Sequence, residues 1–329
     1  MIITPHELQQ WMDEKRIFQS IDLRSSNQRR EFPLTAIKPL IADTESLPVP
    51  NGEPMVLICQ FGIITEGIII EKELEKAYSL LGGALAWEAL QSDKQDLSRW
   101  SRQTVLPEIG TIGQGKLNRA SIAIVGVGGL GCPAATMLAA AGIGTLILID
   151  GDRVELSNIH RQPLYGIGDV GKMKVTAATA ILNNHYDQVS VVPVVKTLNE
   201  GNALDYLQGV DVIIDATDNI EARQVIDRAS RELTIPMVYG GLYRFEGQVA
   251  ILNHDGSPGF NELFPQPSSV GDTCTDAGVL GMLPGIIGNM QALEAVKLIV
   301  DLNSTLSGKL LIYDGLTHET TIIKLCENK

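Results

Sequence analysis

The stretch that decides the fold is residues 122–152, IAIVGVGGLGCPAATMLAAAGIGTLILIDGD. Two short apolar runs in it, Ile122–Val125 and Leu146–Ile149, have the β-branched composition of strands that are buried on both faces of a parallel sheet. The small-residue segment between them predicts one helix. The sequence therefore indicates an α/β fold built on a mostly parallel sheet.

The turn after the first of these strands carries glycines in the spacing G-x-G-x-x-G. Gly126, Gly128 and Gly131 allow a tight turn, a close approach of the backbone to phosphate, and close packing of the helix on the strand. Asp150 ends the second strand about twenty residues later, where Rossmann-like folds keep a carboxylate for ribose hydroxyls. The pattern predicts a nucleotide-phosphate site, although a glycine turn that only packs a helix on a strand has the same spacing.

Composition limits the classes of partner. The chain has 329 residues, of which 44% are hydrophobic and 20% charged, so it can form a sizeable core in two or three domains. A formal charge of −13 argues against nucleic acid as the main partner. The sequence has neither a signal-peptide pattern nor an apolar run of membrane-spanning length. Its four single cysteines fit a reduced cytoplasmic protein without a disulfide framework.

The first ninety residues read as a small α/β unit of their own. Thr4-Pro5-His6-Glu7 predicts a helix start with a capping box. Cys59 ends a strand before a glycine-containing loop, which places its thiol among backbone N–H groups that favour a thiolate or persulfide. The predicted strands are Phe18–Leu23, Met55–Cys59 and Ala77–Leu81, and a helix is predicted at Glu66–Lys76.

This unit resembles the rhodanese-like sulfurtransferase domain over residues 1–90. The resemblance rests on IDLR at 21–24, on the loop that begins at Cys59, and on LLGGALAWEAL at 80–90. The family's loop usually reads C-x-x-G-x-R-S/T, and this chain has Ile64 where the arginine belongs. The Gly-His-Ile segment that is typical of this family is also missing from the chain. The domain is therefore interpreted as a degenerate one, with a sulfur carrier, a docking domain and a merely buried Cys59 all left open.

Residues 91–98, QSDKQDLS, are polar and are predicted to be a linker to a second domain at 99–329. That domain opens with RWSRQ, in which Arg99 and Arg102 are three residues apart and would share one side of a helical turn. Such a pair is usually solvated, and its position before the nucleotide unit also makes contact with phosphate plausible.

Cations after Asp150 favour a triphosphate over a dinucleotide. Arg161, within SNIHRQ at 157–162, and Lys174 follow the ribose acid, where a nicotinamide enzyme has little need for fixed positive charge. A further buried strand, Val210–Ile214, leads into DATDN, and Asp218 there could hold Mg²⁺ or cap the next helix. We interpret the site as one for MgATP, with an NAD(P)-dependent oxidoreductase as the alternative.

With these motifs in order, residues 97–326 resemble the MoeB/ThiF/HesA adenylyltransferases, which are related to ubiquitin-activating enzymes. The resemblance implies magnesium at Asp218, catalytic roles for Arg161, Lys174 and Asp218, and a homodimer in which Arg102 reaches into the site of the partner subunit. The implied ATP-site residues are Gly126, Gly128, Gly129, Gly131, Asp150, Asp152, Ser157, Asn158, Ile159, His160, Arg161, Gln162, Lys174, Asp218 and Asn219.

The resemblance also implies the reaction. The enzyme would use ATP to activate the C-terminal Gly-Gly carboxylate of a ubiquitin-like sulfur carrier protein, in molybdopterin, thiamine or related biosynthesis. Cys274, in TCTDAGVLG, matches a family cysteine that carries sulfur or a covalent link in some members, and a packing cysteine is the alternative. Cys132 is assigned to packing. A non-catalytic scaffold that binds a carrier protein is the third hypothesis.

The C-terminal third departs from the family at its zinc site. Members commonly carry two C-x-x-C pairs, but the first position here reads Gly259-Phe260-Asn261-Glu262 and the second ends at Cys326, so no zinc is predicted. A long helix is predicted over Val279–Leu302 with an interruption at Pro284-Gly285. The tail is predicted to be held by pairing of strands Gly308–Asp314 and Glu319–Leu325.

Overall fold

The computed structural model describes residues 1–31, 33–34, 36–48, 52–94, 97–265 and 278–325. Contacts divide the chain into two compact units, Met1–Thr104 and Val105–Lys329. The helices are α1 Pro5–Asp13, α2 Ser26–Glu31, α3 Ile63–Glu71, α4 Gly83–Lys94, α5 Ser101–Thr104, α6 Gly110–Arg119, α7 Gly131–Ala141, α8 Lys174–His185, α9 Ala203–Leu207, α10 Ile220–Leu233, α11 Phe260–Leu263 and α12 Met282–Ile299.

The first unit is built on a parallel sheet, in the order β1-β5-β4-β2-β3 over its described residues. Its capping box at Thr4 and Glu7 is confirmed. The predicted helix at Glu66–Lys76 is misplaced, because Gly62, at φ +81°, lets α3 begin directly after it. The strands are β1 Ile2–Ile3, β2 Gln19–Asp22, β3 Leu40–Ile41, β4 Met55–Ile58 and β5 Ala77–Leu80.

Part of the predicted linker is helical. Residues 91–94 continue α4, whose N-terminal half buries Trp87 in the core of the first unit. Their polar side chains predicted a loop, but a helix that is already anchored by its apolar first turns can extend through polar residues. The assignment of the two units as domains of the predicted types stays a prediction.

The second unit contains an eight-stranded sheet in the described part of the chain, ordered β13-β12-β11-β10-β9-β6-β7-β8. Five adjacent strands run parallel, in the order β10, β9, β6, β7 and β8. The pairs β10–β11, β11–β12 and β12–β13 are antiparallel. The strands are β6 Ser121–Val125, β7 Thr145–Ile149, β8 Ser190–Val194, β9 Val212–Asp215, β10 Met237–Tyr243, β11 Glu246–Leu252, β12 Lys309–Asp314 and β13 Thr320–Lys324. The mixed sheet confirms the predicted mostly parallel α/β class.

The register of this sheet brings the ends of its parallel strands into one row. Val125 at the end of β6 pairs with Ile149 on one side and with Asp215 on the other. Asp215 pairs in turn with Tyr239 of β10. The residues that follow these strand ends therefore share one edge of the sheet, where ligands bind in open α/β folds.

Helix α12 packs against α7 and is continuous, so the predicted interruption at Pro284-Gly285 is wrong. The helix begins at Met282, so Pro284 lies in its first turn, where a missing N–H costs no helical hydrogen bond. The predicted pairing of the tail strands is confirmed as β12–β13. Among the described helices, none has the length and apolar character needed to cross a membrane.

Tight packing of α7 on β6 predicts that Gly131→Ala destabilises the fold. A Cβ at position 131 would overlap the carbonyl oxygen of Gly126, which is backbone and cannot swing aside. We expect a loss of about 1–3 kcal/mol in the free energy of unfolding, measured by urea denaturation. The control is Gly285→Ala in α12, where a Cβ meets no atom of the described residues within 4 Å; we expect it to be neutral or slightly stabilising. Equal effects would contradict the packing argument.

Candidate functional site

The glycine turn between β6 and α7 is shaped by two close backbone approaches. Gly126 has φ +90°, and a Cβ there would lie 2.6 Å from the Ala216 carbonyl oxygen in the loop after β9. Gly131 lies against Gly126 itself. By contrast, the one described group within 4 Å of a Cβ at Gly128 would be the side-chain amide of Gln162, at 3.5 Å. Gly126 and Gly131 therefore form the turn, while Gly128 leaves backbone accessible to a ligand.

Backbone N–H groups of this turn are available to an anion. The Val127 N–H donates to Asp150 Oδ2 at 2.8 Å. For Gly128, Gly129 and Leu130, no described residue accepts the N–H hydrogen bond. These groups stand at the start of α7, whose helix dipole adds positive potential there. The turn thus has the donors that a phosphate group requires.

Two buried side chains contact this turn, and one of them, Tyr165, has no local sequence signal. The Tyr165 hydroxyl donates to the Val127 carbonyl at 2.8 Å, and Cys132 Sγ lies 3.4 Å from the same oxygen. Burial raises the pKa of Cys132 to about 12. Cys132 is therefore a neutral thiol in the core, in agreement with its assignment to packing.

One lysine is shared by two carboxylates at the end of β7. Lys174 Nζ lies 2.8 Å from Asp152 Oδ2 and 3.8 Å from Asp150 Oδ2. Burial raises the pKa of Asp150, and the Lys174 ammonium opposes that shift. The structure therefore brings together three predicted site residues in a cluster where a fixed cation lies beside a ribose-type acid.

The predicted segment Ser157–Gln162 begins within a short 3-10 helix at Leu156–Asn158 and continues into a turn. The Asn158 carbonyl accepts the N–H groups of Arg161 and Gln162, and Arg161 Nη1 donates to the Ser157 carbonyl at 3.0 Å. The rest of the segment is mixed in exposure: Asn158 and Gln162 are buried, Ile159 is half-buried, and Ser157 and His160 are exposed. Gln162 reaches the glycine turn at Gly128.

The sequence predicted that Asp218 could bind Mg²⁺ or cap the next helix, and in the loop after β9 a different residue supplies the cap. Asn219 is the N-cap of α10, and its Oδ1 accepts the Ala222 N–H at 2.8 Å. Asp218 is exposed and has no hydrogen-bond partner among the described residues. Because the neighbouring asparagine supplies the cap, the Asp218 carboxylate is available to a ligand.

Two predicted catalytic residues are not placed at this edge by the structure. Cys274 lies outside the described residues. Arg102 lies in α5, within the first unit, so its predicted role in a partner subunit's site stays a prediction. Two residues without a local sequence signal also contact this region: Arg223 of α10 contacts the loop after β9, and Gln291 of α12 contacts the last residue of that strand.

In the first unit, Cys59 lies in a loop that hydrogen-bonds its sulfur. The Gly62 N–H donates to Cys59 Sγ at 3.1 Å, and the Thr65 hydroxyl lies 3.6 Å from it. Burial raises the pKa of this thiol, but hydrogen bonds from the loop main chain and from Thr65 outweigh it, and the pKa is lowered. Ile64 is exposed and supplies no charge. The loop favours a thiolate without a neighbouring cation.

Comparison with known proteins identifies the larger unit. The sequence profile of the ThiF family matches residues 100–329. The chain belongs to the ThiF family. A sulfur carrier protein adenylyltransferase of Thermus thermophilus is 41% identical over 232 residues, which are 68% of this chain and 85% of that protein.

Other relatives are longer than this chain. An adenylyltransferase and sulfurtransferase MOCS3 of Aedes aegypti is 42% identical over 235 residues, which are 71% of this chain and 53% of that protein. The chain thus spans about half the length of that relative. Among solved structures, Escherichia coli MccB crystallised with ATP aligns with a TM-score of 0.61 at 19% identity, over 72% of this chain and 73% of that one. At that identity the match concerns the fold alone.

The contrast between the two buried cysteines predicts different thiol reactivity. We expect Cys59 to react with iodoacetamide at a lower pH than Cys132, because one thiol pKa is lowered and the other is raised. Mass spectrometry of the two peptides over a pH series measures this. Thr65→Val should move the Cys59 midpoint to higher pH, and Thr65→Ser, which keeps the hydroxyl, should leave it in place. A pH midpoint of alkylation for Cys59 at or above that for Cys132 would contradict the lowered pKa of the Cys59 thiol.

Proposed function

We propose that this protein is an ATP-dependent adenylyltransferase that activates the C-terminal Gly-Gly carboxylate of a ubiquitin-like sulfur carrier protein. The observation that carries the proposal is one sheet edge that combines the Lys174 cluster, the exposed Asp218, and N–H groups at the glycine turn that donate to no described residue. The name of the Thermus thermophilus relative supports the same activity. Phosphate donors, a cation and a metal-type carboxylate together suit a triphosphate better than a dinucleotide.

In the proposed reaction, a carboxylate oxygen of the carrier attacks the α-phosphorus of ATP. A bond forms between that oxygen and phosphorus, the bond from the α-phosphorus to the bridging oxygen breaks, and pyrophosphate leaves with the electron pair. No proton needs to move, so catalysis rests on positioning and charge stabilisation. Arg161 and Lys174, with Arg102 from a partner subunit of a homodimer, would offset charge on the phosphates.

The residues at this edge fit a magnesium ion with the nucleotide. Mg²⁺ is typically held by one or two carboxylates together with phosphate oxygens. Asp218 supplies one exposed carboxylate that no described side chain occupies. The metal ion would neutralise charge on the phosphates. Asp150 and Asp152 would face the ribose and the Lys174 ammonium.

We assign the first unit as a degenerate rhodanese-like domain that serves the same pathway. Cys59 follows β4 of a parallel sheet, in a loop whose N–H groups stabilise a thiolate. That environment supports a persulfide on Cys59, with Cys274 as the second candidate thiol. The outer sulfur of the persulfide, supplied by a sulfur donor, would attack the carbonyl carbon of the acyl adenylate, and AMP would leave with the electron pair. A second thiol would then cleave the resulting acyl disulfide, forming a disulfide with the cysteine and releasing the thiocarboxylate. The product would be a thiocarboxylated carrier for molybdopterin, thiamine or related biosynthesis.

We also propose that the second unit needs no zinc. At the first expected ligand positions, Gly259 and Glu262 form a capping pair at α11. The neighbouring buried carboxylate of Asp227 accepts the Phe260 N–H at 2.8 Å and the Asn253 side-chain amide at 2.9 Å. This network joins α10, β11 and α11, which is the role that a structural metal would otherwise have.

Pyrophosphate exchange tests the activity. Incorporation of labelled pyrophosphate into ATP should require a carrier that ends in Gly-Gly, and should be abolished by Asp218→Ala because the metal loses its carboxylate. Asp205→Ala, an exposed aspartate on α9, is the control and should keep exchange. No exchange with any cognate carrier would overturn the proposed function, and full activity of Asp218→Ala would remove its role.

Metal analysis and unfolding test the absence of zinc. The purified protein should contain no stoichiometric zinc, and chelators should leave its melting temperature unchanged. Asp227→Ala should cost at least about 1–3 kcal/mol of stability, because buried donors lose their acceptor. Glu232→Ala, an exposed change on the same helix, should have little effect. One zinc per chain, or a melting temperature that falls on chelation, would contradict the proposal.

A further inference from the structure

An arginine in the first turn of α10 contacts the loop that carries Asp218 and the neighbouring strand β10. Arg223 Nη2 donates to the Thr217 carbonyl at 2.9 Å and to the Gly240 carbonyl at 3.1 Å. Its Nε lies 3.5 Å from Asp215 Oδ2. The guanidinium also lies over the Tyr239 ring, 5.1 Å from the centroid. Few geometries satisfy a planar group with this many neighbours, so the side chain is held in one position.

The opposite side of the loop is held by Asp215. This fully buried carboxylate accepts both the Thr217 N–H, at 3.0 Å, and the Thr217 hydroxyl, at 2.6 Å, through Oδ1. The Asp215 carbonyl accepts the Gln291 side-chain amide at 2.6 Å. Thr217 is therefore fixed through its N–H, its hydroxyl and its carbonyl, and the carbonyl contact comes from Arg223.

Asp218 directly follows this fixed residue. It is exposed and makes no hydrogen bond to a described residue, so its own side chain does nothing to hold its position. The peptide that joins it to Thr217 has its oxygen on Arg223. Removal of the guanidinium would free that peptide to rotate, and would leave a buried carboxylate without its cation.

We propose that Arg223 is a positioning residue that sets the place of the Asp218 carboxylate for the metal–nucleotide complex. The inference rests on the proposed function, since it concerns the same site. It assigns to Arg223 an effect on metal affinity that acts through Thr217 and Asp218, without contact between the arginine and the metal.

The test is metal binding to Arg223→Gln and Arg223→Lys, followed by the EPR signal of Mn²⁺ with a non-hydrolysable ATP analogue. We expect Mn²⁺ affinity to fall about 10- to 100-fold in Arg223→Gln, the range found when a residue that orients a metal ligand is lost. Arg223→Lys should lie between, because a lysine keeps the charge but cannot donate to both carbonyls while keeping the planar contact with Asp215. In pyrophosphate exchange, the half-saturating Mg²⁺ concentration should rise while KM for the carrier stays unchanged.

Two further variants separate positioning from stability. Arg228→Gln makes the same change on the same helix, at an exposed arginine paired with Glu200, and should leave metal affinity unchanged. The double variant Asp215→Asn/Arg223→Gln replaces the Asp215 carboxylate, which has lost its cationic partner, with a neutral side chain of the same shape. The double variant should regain melting temperature relative to Arg223→Gln and still bind Mn²⁺ weakly, which a purely structural role does not predict.

Wild-type Mn²⁺ affinity in folded Arg223→Gln would overturn the inference, as would recovery of metal affinity in the double variant. If the single variant fails to fold, the double variant and Arg223→Lys decide the question. Because Mn²⁺ binding needs neither carrier nor turnover, it stays informative even if the wild-type protein shows no pyrophosphate exchange. A wild-type protein without pyrophosphate exchange would therefore contradict the proposed reaction but not the positioning role of Arg223.

Discussion

The backbone of Gly126 lies so close to the carbonyl of Ala216 that no side chain fits between them, and the rest of the candidate site depends on this contact. The approach is possible because Gly126 adopts φ +90°, and it is held by a hydrogen bond from the Ala216 N–H to the Val125 carbonyl at 2.9 Å. It places the turn that carries phosphate donors beside the loop that carries Asp218. Two halves of the site, far apart in sequence, thereby share one sheet edge.

Electrostatics then distinguish the possible ligands of this edge. The glycine spacing and Asp150 suit a dinucleotide as well as ATP, which is why an oxidoreductase was a reasonable alternative from sequence. The Lys174 ammonium contacts the carboxylates of both Asp150 and Asp152. The Arg161 guanidinium donates a hydrogen bond to the Ser157 carbonyl. A site that combines such cations with an exposed aspartate is suited to a triphosphate and a divalent metal.

Local patterns predicted the parts of the structure that depend on local chemistry. The strands around the glycine turn, the capping box at Thr4 and the β12–β13 hairpin each follow from a few neighbouring residues. The start of α3 was misplaced because Gly62 begins it earlier than the charge pattern indicated. Tyr165 and Gln291 could not be predicted, since they contact groups 38 and 76 residues away and only the folded sheet brings them together.

The central claim is that the glycine turn and its neighbours bind ATP and not a nicotinamide dinucleotide. Isothermal titration of the purified chain with ATP in the presence of Mg²⁺, and separately with NAD⁺ and NADP⁺, measures this most directly. We expect saturable binding of ATP and far weaker binding of both dinucleotides. Tighter binding of NAD⁺ or NADP⁺ than of ATP would contradict it and would return the oxidoreductase to first place.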